Sequence, residues 1–195
     1  MKLSKQQKNK AFTIIEALVA IMILSVSVAG MLGVTASSAT SARYANNEIT
    51  ANYLLQEAID SVRNSRDTIA FQMKNTTGGW LVFLNRYGYG ANSKCFIANG
   101  CMLKMDSFDA SLLSGNDIIS CPNSGCQSLS YDSSASSQLF YQYSTGNPTS
   151  FVRTVKMVVT PTNTDEVKVT ATVDWLNGSS SRSRSLEIYL LDWQK

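Results

Sequence analysis

At 195 residues the chain has room for one domain and a further segment. It contains no histidine, which removes Ser-His-Asp and Cys-His catalysis and every histidine metal site. The net charge of +3 comes from Lys2, Lys5, Lys8 and Lys10; without these four, 13 basic side chains face 14 acidic ones, which excludes a nucleic-acid footprint built on bulk charge.

Residues 11–34 form an apolar run that holds a single acid, Glu16, and no other charge lies between Lys10 and Arg43. The run is long enough to span a bilayer. The basic residues before it belong on the cytoplasmic side, which places everything after it outside. A signal peptide shares this outline. Its apolar core is shorter, however, and holds no acid, and the small-residue exit here is only the poor match Ala36-Ser37-Ser38-Ala39.

The run fades into small and polar residues, Thr35 to Tyr44, with no proline before Pro122. A stripe follows at Ala51, Leu55, Ala58, Ile59 and Val62, spaced by three or four and so on one helix face. Asn52, Gln56, Asp60 and Asn64 fall elsewhere. The pattern predicts one helix from about Thr13 to about Arg66, roughly 80 Å long at 1.5 Å per residue. Its first half is apolar all round and its second half is amphipathic. Asp60–Arg63 and Arg63–Asp67 are spaced for surface ion pairs. Gly30 and Gly33 are its weak points, each costing about 1 kcal/mol relative to alanine. They read either as close helix packing in a membrane or as a place to bend.

Gly78-Gly79 is expected to end the helical half, with Trp80-Leu81-Val82-Phe83-Leu84 as a strand. Residues 85–137 are loop-rich and hold all four cysteines. Ser128 to Gln138 reads as an exposed low-complexity stretch, and Leu139 to Tyr143 as another strand. Phe151 to Thr160 alternates and stops at Pro161. Val167, Val169, Ala171, Val173 and Trp175 alternate with polar residues as a half-buried strand. Asn177-Gly178 signals a turn, and Arg184 to Trp193 returns with Leu186, Ile188 and Leu190 on one face. The expected fold class is α+β: a long N-terminal helix packed on an antiparallel sheet of about four strands, with a cysteine-containing loop region between.

Cys95, Cys101, Cys121 and Cys126 lie in the outside portion, where disulfides persist. Four cysteines suit two bridges and allow three connectivities. Zinc is the lesser alternative, because the spacings are C-x5-C and C-x4-C rather than C-x2-C.

The stretch Lys10-Ala11-Phe12-Thr13-Ile14-Ile15-Glu16 resembles the processing site of type IV prepilins and of type II secretion pseudopilins. The resemblance implies a cut by a membrane peptidase between Ala11 and Phe12, with Phe12 then N-methylated. The family usually has glycine where this chain has Ala11. It also implies that Glu16 pairs with the N-terminal amine of a neighbouring subunit and sets register in a filament. On physical grounds an acid deep in a bilayer costs about 3 kcal/mol, which a nearby amine would offset. The plainer alternative is that Glu16 reaches to the interface. A broader pattern is similar to minor-pilin-like type IV pilus modification proteins. It comprises Leu55 to Asp67, Phe151 to Val155, Val167 to Trp175 and Leu186 to Trp193. Arg63, Arg66 and Asp67 there read as surface charges at a helix end.

Other candidates carry less. Gly88-Tyr89-Gly90-Ala91-Asn92-Ser93 begins like a dinucleotide fingerprint but lacks its last glycine. Trp80, Arg86, Tyr87, Tyr89 and Lys94 could stack on single-stranded DNA, but a loop over a small core is the favoured reading. Asp106, Asp109, Asn116 and Asp117 could offer oxygens to calcium, though not at EF-hand spacing. Asn75-Thr76-Thr77 and Asn177-Gly178-Ser179 match the glycosylation sequon, which is too common to use.

The expected organisation is a leader at 1–11, a transmembrane or filament-core helix half at 12–43, an amphipathic half at 44–67 and an outside β-rich domain at 68–195. The expected role is a non-enzymatic filament subunit with no cofactor and no metal. It starts as a cytoplasmic-membrane precursor and ends in an extracellular filament. Other pilin subunits, the prepilin peptidase, an assembly platform with its ATPase and the membrane are its implied partners; DNA is not. The rivals are a secretion pseudopilin and a single-span anchored surface binding domain.

Overall fold

The computed structural model describes residues 12–74, 78–90, 93–105, 117–133, 141–160 and 163–193. Two compact units divide the chain, Met1–Asn46 and Asn47–Lys195. Helix α1, Ile14–Gln72, crosses that boundary without a break and runs through Gly30 and Gly33. It outlasts the expected end near Arg66, because Ile69 and Ala70 continue the buried stripe one turn further.

Within the second unit, α1 packs on a seven-stranded antiparallel sheet. Its strands are β1 Cys101–Leu103, β2 Ile118–Ser120, β3 Ser128–Tyr131, β4 Tyr141–Gln142, β5 Asn147–Thr160, β6 Asn163–Asn177 and β7 Ser180–Leu191. β5 is the hub. Val155 pairs with Cys101 of β1 and with Ala171 of β6, while Val152 pairs with Ser128 of β3 and with Asp174 of β6. β1 and β3 therefore share one side of β5 and β6 takes the other. β7 closes the order beyond β6.

β5 and β6 match the period-two reading, whereas in β7 Leu190 is buried, Ile188 is half-buried and Leu186 is exposed. Val167, Val169, Ala171, Val173 and Trp175 are all buried, as are Phe151, Val155 and Met157 of β5. They face Ala51, Leu54, Leu55, Ala58, Ile59 and Val62 of α1 in one core. Each such side chain contributes about 1.5–3 kcal/mol on full burial. The four predicted strands are outnumbered because β1, β2 and β3 sit in the stretch read as loop. Strands of three or four residues are too short for alternation to register. β3 also corrects the exposed reading of the serine-rich stretch, since Leu129 at its centre is fully buried; residues 134–140 lie outside the described set.

Trp80 to Leu84 is not a strand. It belongs to helix α2, Gly79–Arg86, which follows Gly78 in the left-handed region at φ 119°. Burial recurs at Gly79, Phe83, Leu84 and Arg86, and then at Tyr87, the spacing of a helix. Trp80, Phe83 and Tyr87 meet ring to ring at 5.4 and 5.2 Å along that face. A five-residue apolar run cannot by itself reveal which period it follows.

The β6–β7 turn shifts by one residue from its motif. Asn177 pairs with Ser180, so Gly178 and Ser179 are its central residues. Gly178 has φ 63° and Ser179 does not have positive φ, the type II′ pattern with glycine first. This register keeps Leu186, Ile188 and Leu190 beside Ala171, Val169 and Val167. A slip of one residue would turn them to the other face.

The buried phenols make a prediction. Burial pushes Tyr87 well above the usual range, more than neighbouring Ser65 and Arg86 lower it. Tyr143 is raised by the same cause, with Arg153 opposing. Unfolded phenols ionise near about pH 10 while these stay protonated. The unfolded state therefore binds fewer protons above that pH, so the contribution of these phenols to stability is level below about pH 10 and falls above it. Circular dichroism melts across this range, with phenolate absorbance followed alongside, check this.

Candidate functional site

The first unit offers the site, and it begins at Thr13. The Thr13 carbonyl accepts the Ala17 N–H at 3.2 Å, the first full helical bond, so Thr13 is the N-cap of α1. The Glu16 N–H is shared between the Thr13 carbonyl at 3.1 Å and Thr13 Oγ1 at 3.3 Å. Thr13-x-x-Glu16 thus has the spacing of a capping box, and Glu16 lies in the first turn, where the helix dipole favours an acid. Sequence reasoning missed this cap although the T-x-x-E spacing carries its signal. Phe12 precedes the helix and is 71% exposed. Ala11 lies outside the described residues.

Beyond the cap, apolar side chains point in every direction. Ile14, Leu18, Met22, Val26, Met31 and Val34 are exposed, and so are the large apolar residues between them. Contiguous apolar surface on this scale is not left open to water by soluble proteins. By length and composition the segment can cross a membrane. The hydroxyls inside it are already satisfied by their own helix. Ser25 donates to the Ile21 carbonyl at 2.7 Å, Ser27 to Ile23 at 2.8 Å and Thr35 to Met31 at 2.8 Å. Such back-bonding removes the cost of taking these groups out of water. Glu16, whose side chain is exposed, is then the one charge the segment carries into apolar surroundings. A Cβ added at Gly30 or Gly33 would meet nothing within 4 Å, so no contact inside the chain requires either glycine.

The other candidates serve the second unit's core. Cys95 bonds Cys101 and Cys121 bonds Cys126, which selects the sequential pairing out of the three. The cysteines anchor strand β1 and the end of β2. Cys95 offers its carbonyl to the Met157 N–H of β5 at 2.9 Å, and Gly100 its own to the Cys121 N–H at 3.0 Å. Arg86 donates to Asp117 at 2.6 Å with both side chains buried, so Asp117 is an ion-pair partner rather than a surface acid. Asp106, Asp109, Asn116 and the Asn75 sequon lie outside the described residues. Trp80 donates its indole N–H to the Thr164 carbonyl at 2.7 Å, and Tyr89 meets Phe96 edge-on at 5.4 Å. With Tyr87 fully buried, this aromatic and basic set is a core and its rim, not a stacking platform. Among the described residues no cluster of three or more His, Cys, Asp or Glu could hold a metal ion. At the end of α1, Arg63 pairs with Asp60 at 3.2 Å as expected, while Asp67 pairs with its neighbour Arg66 at 2.7 Å rather than with Arg63.

The prokaryotic N-terminal methylation motif matches residues 6–32, from within the lysine-rich first residues through the apolar half of α1. No curated protein and no solved structure matches the chain. The matched motif and the long apolar helix that it opens are similar to the N-terminal segment of type IV pilin-like proteins.

Proposed function

We propose that the chain is a structural subunit of a type IV pilus-like filament and not an enzyme. It is inserted as a membrane precursor, cut between Ala11 and Phe12, N-methylated at Phe12 and assembled through its apolar helix. The observation that carries this reading is an apolar segment with no burial inside its own chain, opened by the methylation motif and by an acid in the first helical turn. Bilayer lipid can cover that surface in the precursor and like helices can cover it in a filament. The second unit then faces solvent and carries any adhesive or priming role.

Intact-mass measurement on the membrane-expressed chain tests the reading. A mass matching Phe12–Lys195 plus one methyl is the expected result. A retained Met1, or a cut near Ala39, would sink it in favour of a simple anchor or a signal peptide. The secretion pseudopilin shares this processing. Imaging surface filaments from cells with and without the chain separates the two.

A further inference from the structure

We propose that Asn177 is a site of spontaneous deamidation, attacked by the backbone nitrogen of Gly178, and that the fold shields the chain's other Asn-Gly pair, Asn99-Gly100, from the same reaction. Neither part depends on the filament reading.

The chemistry belongs to the dipeptide. The backbone nitrogen that follows an asparagine, once deprotonated, adds to the side-chain amide carbon and closes a five-membered succinimide. Ammonia leaves, and the proton lost from the backbone nitrogen goes to it by way of solvent. Water then opens the ring at either carbonyl, leaving aspartate or isoaspartate. Water is the only co-reactant. Glycine in the second place leaves the approach open because it has no Cβ. The sequence holds two such pairs, at residues 99–100 and 177–178.

The fold treats them differently. Gly178 is exposed at the centre of the β6–β7 turn, and its N–H has no backbone partner among the described residues. A Cβ there would meet nothing within 4 Å, so the reacting side chain has room. Attack requires Asn177 to leave its extended conformation. Asn177↔Ser180 is the last pair of the ladder, where opening costs least. The product sets a new carboxylate at the hairpin tip and, as isoaspartate, lengthens the main chain just where β7 turns back.

Gly100, by contrast, is buried and held at both ends. Its N–H donates to the Ile97 carbonyl at 3.1 Å and its carbonyl accepts the Cys121 N–H at 3.0 Å. A Cβ there would lie 2.5 Å from the Val155 carbonyl oxygen, so β5 presses against it. The Asn99 amide is itself engaged, donating to Asn123 Oδ1 at 3.1 Å and to the Pro122 carbonyl at 3.4 Å. The Cys95–Cys101 bridge closes the segment that carries the pair. These bonds have to break before Asn99 can react.

The test uses the full-length chain in detergent, held at mildly alkaline pH and digested with trypsin at intervals. Asn177 then lies in the peptide Val169–Arg182 and Asn99 in Cys95–Lys104, so mass spectrometry reads the two apart. Conversion of amide to acid should be at least about tenfold faster at Asn177, the factor that two hydrogen bonds of ordinary strength command. With the chain unfolded in guanidinium and its disulfides reduced, the two rates should converge. Equal rates in the folded chain, faster conversion at Asn99, or no conversion at Asn177 overturns the proposal. So does a difference that survives unfolding, because flanking residues rather than the fold would then set it.

Discussion

A chain carrying Glu16→Leu should insert and be cut after Ala11 as the parent is, yet yield at least tenfold fewer filaments. The reason lies in what surrounds the carboxylate at each stage. In the precursor it is a net cost of about 3 kcal/mol, so leucine anchors the segment at least as well. In the proposed assembly, cleavage would leave a cationic amine at Phe12 of a neighbouring copy. Two opposite charges about 4 Å apart attract by about 4 kcal/mol at an effective dielectric constant near 20. Tenfold in assembly needs only about 1.4 kcal/mol of that. Glu16→Gln separates charge from capping: it keeps the reach of a capping-box side chain but not the carboxylate, and it should lose filaments too. Immunoblots of sheared surface fractions against whole-cell precursor and processed chain read both steps. Parent-level filaments from Glu16→Leu would remove the register role and leave Glu16 as a helix-start residue only.

The second large effect belongs to Arg153. This arginine sits on β5 at 1% exposure, beneath α1. It donates to the Leu103 carbonyl at 3.2 Å, reaches the Leu54 carbonyl at 3.5 Å and forms an ion pair with Glu57 of the helix. It thus ties β1, β5 and α1 at one point. Arg153→Ala should cost about 3–5 kcal/mol, because it opens a cavity and strands a carboxylate and two carbonyls. For a unit of this size that is a fall in melting temperature of about 6–20 °C. Arg153→Met combined with Glu57→Leu should recover most of the loss, since an apolar pair of similar volume replaces a buried guanidinium and its half-buried carboxylate. Thermal melts of the full chain in detergent check both. Equal melting of parent and Arg153→Ala would mean that the ion pair adds nothing over its desolvation.

Neither residue was equally visible in advance. Glu16 stands out because it interrupts an apolar run, and a lone charge in such a run needs no neighbour to be noticed. Arg153 reads as one polar residue in an alternating strand. Its inward direction follows from the register, since Phe151, Arg153, Val155 and Met157 share the helix-facing side, but alternation alone makes an inward arginine look like a fault. Only Glu57 and two carbonyls, brought to it from elements far away in sequence, make the position tolerable. Asp117 is similar: a loop acid on paper, a buried partner of Arg86 once α2 and β2 meet.

By itself the sequence determined the apolar segment with its acid, the amphipathic stripe from Ala51 to Val62 and the three long strands. Each rests on a pattern sustained in one stretch of chain, where the period of 3.6 or of two can declare itself. The tertiary structure decided the rest. It paired Cys95 with Cys101 and Cys121 with Cys126. It made Trp80 to Leu84 a helix, found short strands in a stretch that looked like loop, and centred the last turn on Gly178-Ser179. These outcomes depend on which distant surface each short segment meets, and a few residues carry too little periodicity to choose one against the packing of a whole core.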